Sequence, residues 1–80
     1  MMGVSRTIPS LAQRQMVDDA MLAYVEWREE CSAVWDSYGR WASAGAEDRR
    51  PAHAAYRAAL DREEAATNLY AKLVERVREC

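Results

Sequence analysis

The sequence predicts an all-α fold: an antiparallel, coiled-coil-like two-helix hairpin that dimerises into a four-helix bundle. Three observations support this prediction. Apolar residues recur at helical spacing, start and stop signals divide the chain into two helices, and bulky residues of the first helix match small residues of the second. A chain of 80 residues allows one domain and is often marginally stable alone, so we expect it to self-associate.

Residues that typically start or stop helices set the expected boundaries of the two helices. The expected order is a flexible lead at 1–9, helix 1 at 10–44, a turn at 45–50 and helix 2 at 51–78. Ser10 and Gln13 have the spacing of a capping box, which predicts where helix 1 begins. Pro51 suits the first turn of helix 2, where no backbone N–H is needed.

Gly39 lies inside the first predicted helix and allows two interpretations. It either permits close packing beside Tyr38 and Trp41, or it ends the helix as a left-handed cap. We favour a continuous helix because Trp41 stays on the apolar stripe, and we expect Gly45 to be the stop.

The aromatic stretch at 24–41 contains all three tryptophans and two of the four tyrosines. Two heptad series run through this part of the chain and predict the apolar stripe of helix 1: Val17, Tyr24, Cys31 and Tyr38, and then Ala20, Trp27, Val34 and Trp41. Trp35 lies about 80° from Trp27 and about 120° from Trp41 around the helix. At least one tryptophan should therefore face a subunit or partner interface.

The pairing of the helices follows from the position of the turn. Folding the chain about residues 47 and 48 places position i opposite roughly position 95 − i, so the bulky residues near the turn face alanines of helix 2. Leu22, Val25, Leu60 and Val74 are left beside this pairing, which predicts a homodimer. The predicted core and interface residues are Val17, Met21, Tyr24, Trp27, Cys31, Val34, Trp35, Tyr38, Trp41, Ala55, Ala59, Ala66, Leu69, Leu73 and Val77.

Composition restricts the compartment and the partners. The net charge of −2 gives no strong attraction to nucleic acid or to an anionic membrane. No run of about eighteen apolar residues and no signal-peptide pattern occurs, so no membrane association is expected. Cys31 and Cys80 do not make a disulfide framework. Cys31 should pack as a small apolar residue, and Cys80 should be exposed, which together predict a cytoplasmic protein.

The segments AAYRAALDREEAATNLYAKLVERV and SAVWDSYGRWASAG resemble short helical proteins of unknown function from actinobacteria and their phages. This resemblance covers roughly residues 24–77. It implies a helical fold and an actinobacterial or phage origin, and it brings no functional residues.

The chain is also similar to the secreted Trp-x-Gly family, whose members are short helical hairpins with a tryptophan near the turn. Both family motifs are missing here. Ser37 and Ser43 stand where that family would have glycine after Trp35 and Trp41. The family's second motif is Tyr-x-x-x-Asp/Glu, and here Val74 stands four residues after Tyr70 in place of the acidic residue.

Three groups of residues could carry chemistry. His53 has no identifiable partner for general base catalysis and is expected to be a surface histidine. Glu29, Glu30 and Glu63 would approach one another in a bundle and could bind a metal, but no Glu-x-x-His motif accompanies them, so no cofactor is expected. Surface ion pairing explains the same carboxylates.

Arg40, Arg49 and Arg50 make a basic patch at the turn that could face a partner, although Glu47 and Asp48 dilute its charge. The expected function is therefore a non-enzymatic protein–protein interaction module, such as an adaptor, an assembly factor or an inhibitor. The alternatives are a carboxylate metal-binding bundle, a nucleic-acid accessory protein and a secreted Trp-x-Gly-like hairpin.

Overall fold

The computed structural model describes residues 10–79, which form two long helices packed side by side in a hairpin. Helix α1 spans Leu11–Ala42 and helix α2 spans Arg49–Glu79. The prediction of an all-α two-helix hairpin is confirmed. The flexible lead predicted at 1–9 and the exposed Cys80 lie outside the described residues.

Helix α1 begins at the predicted capping box. The Ser10 hydroxyl accepts a hydrogen bond from the Gln13 amide at 3.1 Å, and the Gln13 side chain accepts one from the Ser10 amide at 2.9 Å. Two backbone donors that the helix leaves unpaired are thereby satisfied. This reciprocal pair explains why the helix starts here, directly after Pro9 in the sequence.

Helix α1 runs through Gly39 without a break and ends at Ala42, where the predicted end was residue 44. The Ser43 amide and hydroxyl donate to the Gly39 carbonyl at 3.1 and 2.9 Å and cap the last turn. Gly39 is therefore not a left-handed cap. A Cβ added to it would meet no atom within 4 Å, so close packing within the hairpin does not explain this glycine either.

The connection occupies residues 43–48, and α2 begins at Arg49, two residues before the predicted start. The Asp48 amide donates to the Gly45 carbonyl at 3.1 Å, and the Ala52 amide donates to the Asp48 carbonyl at 3.0 Å. Pro51 lies in the first turn of α2, where backbone N–H groups have no partner within the helix, so its missing N–H costs no helical hydrogen bond.

The two helices meet along a seam of small side chains. Among the described residues, those that are buried are Ala20, Ala23, Ser37 and Ala59, and we refer to these four as the seam. Trp27, Val34 and Trp41 lie beside it, half-buried. The heptad series Ala20, Trp27, Val34, Trp41 thus faces α2 as predicted.

The second predicted series occupies a different position. Val17, Tyr24 and Tyr38 are exposed, while Ala23, Glu30 and Ser37 face α2 in their place. Helix α1 is therefore rotated by roughly 50°, half of the 100° between successive residues, from the predicted orientation. The physical reason is size, because alanine and serine let two helix backbones approach closely and rings at those positions would hold them apart.

The predicted register along the hairpin is confirmed. Ring centroids are 5.6 Å apart in the pair Tyr24–Tyr70, 5.7 Å in Tyr38–Tyr56 and 4.8 Å in Trp41–His53. In each pair the two residue numbers add to 94, beside the predicted 95. The predicted orientation of α1 about its own axis was wrong, whereas its predicted alignment along α2 was right.

Candidate interaction surface

Five large side chains of α1 remain exposed along one side of the hairpin. They are Val17, Met21, Tyr24, Trp35 and Tyr38, with exposed fractions of 42%, 63%, 43%, 73% and 45%, and we name them the apolar flank. All five were predicted to be core or interface residues. The fold of one chain does not cover them.

The helical period explains why these residues share one side. Tyr24 and Tyr38 lie about 60° around α1 from the row that contains Trp27. Glu30 and Ser37 lie at a similar angle in the opposite direction. The hairpin consequently has the apolar flank on one side of the seam. On the other side lies a strip with Glu30 of α1 and Arg62 of α2, which we name the charged flank.

The turn end of the apolar flank is a connected cluster of rings. Trp41 stacks on Tyr56 with centroids 5.3 Å apart and planes at 17°. Tyr38 contacts Trp41 edge-on at 6.1 Å, and Trp35 contacts Tyr38 edge-on at 6.4 Å. Such pairs contribute about 0.5–1.5 kcal/mol each beyond area burial. Trp35 is the outermost ring of the cluster and the most exposed.

His53 belongs to this cluster and was expected to be a surface residue. It is half-buried, with its ring 4.8 Å from the Trp41 ring. The predicted register could have found this contact, because position 53 stands opposite position 41 or 42. The contact between His53 and Trp41 is ring packing.

The middle of the hairpin contains a polar layer. The Trp27 indole N–H donates to the Glu63 carboxylate at 3.2 Å, and the Thr67 hydroxyl donates to the same carboxylate oxygen at 2.8 Å. Trp27 also stacks on Tyr70 at 5.8 Å with planes only 6° apart. Glu63 is half-buried, so these two donors compensate part of its lost hydration.

On the charged flank, an ion pair links the two helices. The Arg62 Nε lies 3.4 Å from a carboxylate oxygen of Glu30. Leu69 is seven residues after Arg62 and so shares its face of α2, where it is 48% exposed. Leu69 was predicted to be core, and its place on this flank makes it separate from the apolar flank.

The open end of the apolar flank forms a groove of about 880 Å³. Its walls come from both helices and include Val17, Met21, Tyr24, Val25, Val74 and Val77. Asp18 and Arg78 also line it and are its charged groups. A recess of this size and composition suits apolar side chains.

The remaining predicted residues occupy less distinctive positions. Cys31 is half-buried with a free thiol, and Val34 is half-buried beside the seam. On α2 the prediction placed six residues in the core or at an interface, and one of them, Leu69, is exposed on the charged flank. Ala59 is fully buried, Ala66, Leu73 and Val77 are half-buried, and Ala55 is exposed.

The turn presents the predicted basic patch. Arg40, Arg49 and Arg50 are exposed, and so are Glu47 and Asp48 between them. Arg40 lies in the last turn of α1, where a cation interacts favourably with the helix dipole. Basic and acidic side chains thus lie together at a solvent-exposed turn.

Within residues 10–79, no group of three or more His, Cys, Asp or Glu side chains is arranged to hold a metal ion. Glu30 and Glu63 are instead engaged by Arg62 and by Trp27 with Thr67. In the same part of the chain, no helix combines the length and the apolarity needed to cross a membrane.

No protein-family model matches the chain, and neither the curated proteins nor the solved structures contain a significant match.

Proposed function

We propose that this protein is a non-enzymatic protein–protein interaction module that acts through its apolar flank and pairs with a second copy to make a four-helix bundle. An adaptor, an assembly factor or an inhibitor would use such a surface. The free Cys31 thiol is compatible with a reducing cytoplasm, which is the location we propose.

The extent of the apolar flank is the observation that supports this proposal. Its five side chains are between 42% and 73% exposed. With about 150–250 Å² for each large side chain, they expose on the order of 500 Å². Leu22 and Val25, 65% and 52% exposed at the groove, extend the surface. A standard interface buries about 800 Å² per partner, so one flank is large enough for most of such an interface.

The weakness of the internal core supports the same conclusion. The seam consists of three alanines and one serine, and no large side chain among residues 10–79 is fully buried. A single hairpin therefore gains little from apolar burial, and a chain of this size usually needs an additional source of stability. Association through the exposed flank would bury the large side chains that folding leaves in water.

Measurement of absolute mass tests the proposal. Light scattering after size exclusion in reducing buffer, across a dilution series, should give twice the 9.1 kDa chain mass at high concentration. Trp35→Ala should move the dimer–monomer transition to higher concentration. Leu69→Ala is the matched control, because it removes an exposed side chain from the charged flank and should leave the transition unchanged.

A monomer of 9.1 kDa throughout the series would contradict the four-helix bundle. Equal effects of Trp35→Ala and Leu69→Ala would contradict the assignment of the interface to the apolar flank.

A further inference from the structure

The two ends of the apolar flank have opposite shapes. At the turn end, Trp35 projects from α1 and is the most exposed of the aromatic side chains. At the open end, the flank recedes into the groove of about 880 Å³ between the helices. The same surface thus contains a large apolar knob and a large apolar recess.

We infer that the occupant of the open-end groove is Trp35 of a second copy of this chain, so that the two protomers lie antiparallel and exchange tryptophans reciprocally. This inference rests on the proposed dimer and specifies its orientation. A two-fold interface requires that if residue i contacts residue j of the partner, residue j contacts residue i of the partner. In the proposed dimer, Trp35 of each protomer contacts the groove at Met21 of the other protomer, so the arrangement meets this requirement.

Distances along α1 are consistent with this arrangement. Trp35 and Met21 are fourteen residues apart, which is about 21 Å along the helix. A two-fold axis through the midpoint, near residue 28, superposes each Trp35 on the partner's groove. A parallel arrangement would instead set one Trp35 against the other and leave both grooves empty.

The chemistry of the groove matches an indole ring. Met21, Val25, Val74 and Val77 line it with apolar surface. Asp18 adds a carboxylate three residues before Met21, on the same face of α1. The indole N–H of Trp35 has no hydrogen-bond partner in the described part of the chain, and a buried tryptophan N–H usually has one. Asp18 of the second copy offers that acceptor.

A mixing experiment tests the orientation. Trp35→Ala removes the knob and leaves the groove intact, and Met21→Glu places a charge in the groove and leaves the knob intact. Met21 is 63% exposed, so this change should not disturb the hairpin itself, which helical circular dichroism can verify. Each variant alone should dimerise with a dissociation constant raised at least about thirtyfold, the effect of losing one hot-spot side chain.

In an equimolar mixture, Trp35 of the Met21→Glu protomer can enter the unaltered groove of the Trp35→Ala protomer. We therefore expect dimers in the mixture at concentrations where each variant alone is monomeric, measured by sedimentation velocity. The control mixes Trp35→Ala with the double variant Trp35→Ala/Met21→Glu, and this pair should show no recovery, because neither protomer carries the Trp35 knob.

The outcomes separate the two proposals. A wild-type chain that remains monomeric would overturn the proposed dimer. A dimer that withstands Met21→Glu would show that the groove does not hold the partner's Trp35. Loss of dimer in both variants without recovery in their mixture would overturn the antiparallel exchange.

Discussion

The seam and the apolar flank are adjacent strips of one surface of α1, and they differ in the size of their side chains. The seam has Ala20, Ala23 and Ser37 of α1 and Ala59 of α2, all buried between the two helices. The apolar flank, about a quarter turn away, has three aromatic residues, Tyr24, Trp35 and Tyr38, which are 43%, 73% and 45% exposed. The helices pack through alanine and serine, and the large side chains of the apolar flank stay exposed to solvent.

This difference separates folding from association. Close contact of small side chains defines how the helices approach, but it removes little apolar area from water. Large exposed rings contribute little to one hairpin and can contribute strongly to an interface, where tryptophan and tyrosine dominate binding energy. Substitutions in the two strips should therefore affect different equilibria.

The largest expected effect distinguishes two tryptophans. Trp27→Ala removes a half-buried ring that stacks on Tyr70 and donates to Glu63, and should lower the free energy of unfolding by about 2–3 kcal/mol. Trp35→Ala removes a ring that is 73% exposed and should change it by no more than about 0.5 kcal/mol. Urea denaturation below the dimer dissociation constant measures both values.

The order of the two variants should reverse when association is measured instead. If Trp35→Ala destabilised the isolated hairpin as much as Trp27→Ala, the separation of folding from association would be lost.

The second prediction tests the closeness of the helices at the seam. Ala59 is fully buried, so Ala59→Leu should force α1 and α2 apart and destabilise the hairpin by about 1–3 kcal/mol, visible as a lower thermal midpoint. Ala55→Leu is the matched control. It adds the same side chain one turn earlier on α2, where residue 55 is exposed, and should shift stability by less than about 0.5 kcal/mol. Equal shifts would indicate a loose seam.

Much of the architecture could be predicted from the sequence because it depends on local signals. The capping box at Ser10 and the proline at position 51 restrict where the helices begin, and the pairing of Tyr38 with Tyr56 follows from the position of the turn. These features depend on backbone chemistry and spacing, which a sequence displays directly.

The orientation of α1 could not be predicted in the same way. The strip that faces α2 includes the polar residues Glu30 and Ser37, whereas the strip with Tyr24 and Tyr38 has only apolar and aromatic residues at the heptad positions. A pattern of apolar residues therefore points the rings at the other helix. Which strip of α1 faces α2 depends on how closely the two helix backbones can approach, and this is a property of the three-dimensional structure. The groove was missed for a related reason, since it arises from both helices and follows the orientation of α1.

A third prediction concerns a position that neither strip uses. Gly39 lies inside α1, and a Cβ there would meet nothing within 4 Å. Gly39→Ala should therefore stabilise the isolated hairpin by about 0.5–1 kcal/mol through helix propensity. Gly45→Ala is the control, because Gly45 has equal space but lies in the connection, and it should give a smaller gain. A loss of stability with Gly39→Ala would mean that the hairpin needs this glycine.

The smallest expected effect lies on the charged flank, the counterpart of the apolar one. Glu30→Gln removes the ion pair with Arg62, a single contact at 3.4 Å whose side chains are 31% and 56% exposed. Pairs this accessible to water contribute about 0.2–0.5 kcal/mol, and the loss should shrink further in high salt. Glu29→Gln changes charge equally at an exposed position next to it and controls for net charge. Thermal unfolding of both variants at low and high ionic strength measures the difference. A large, salt-insensitive loss with Glu30→Gln would mean that the polar contacts of this flank, and not the small residues of the seam, hold the helices together.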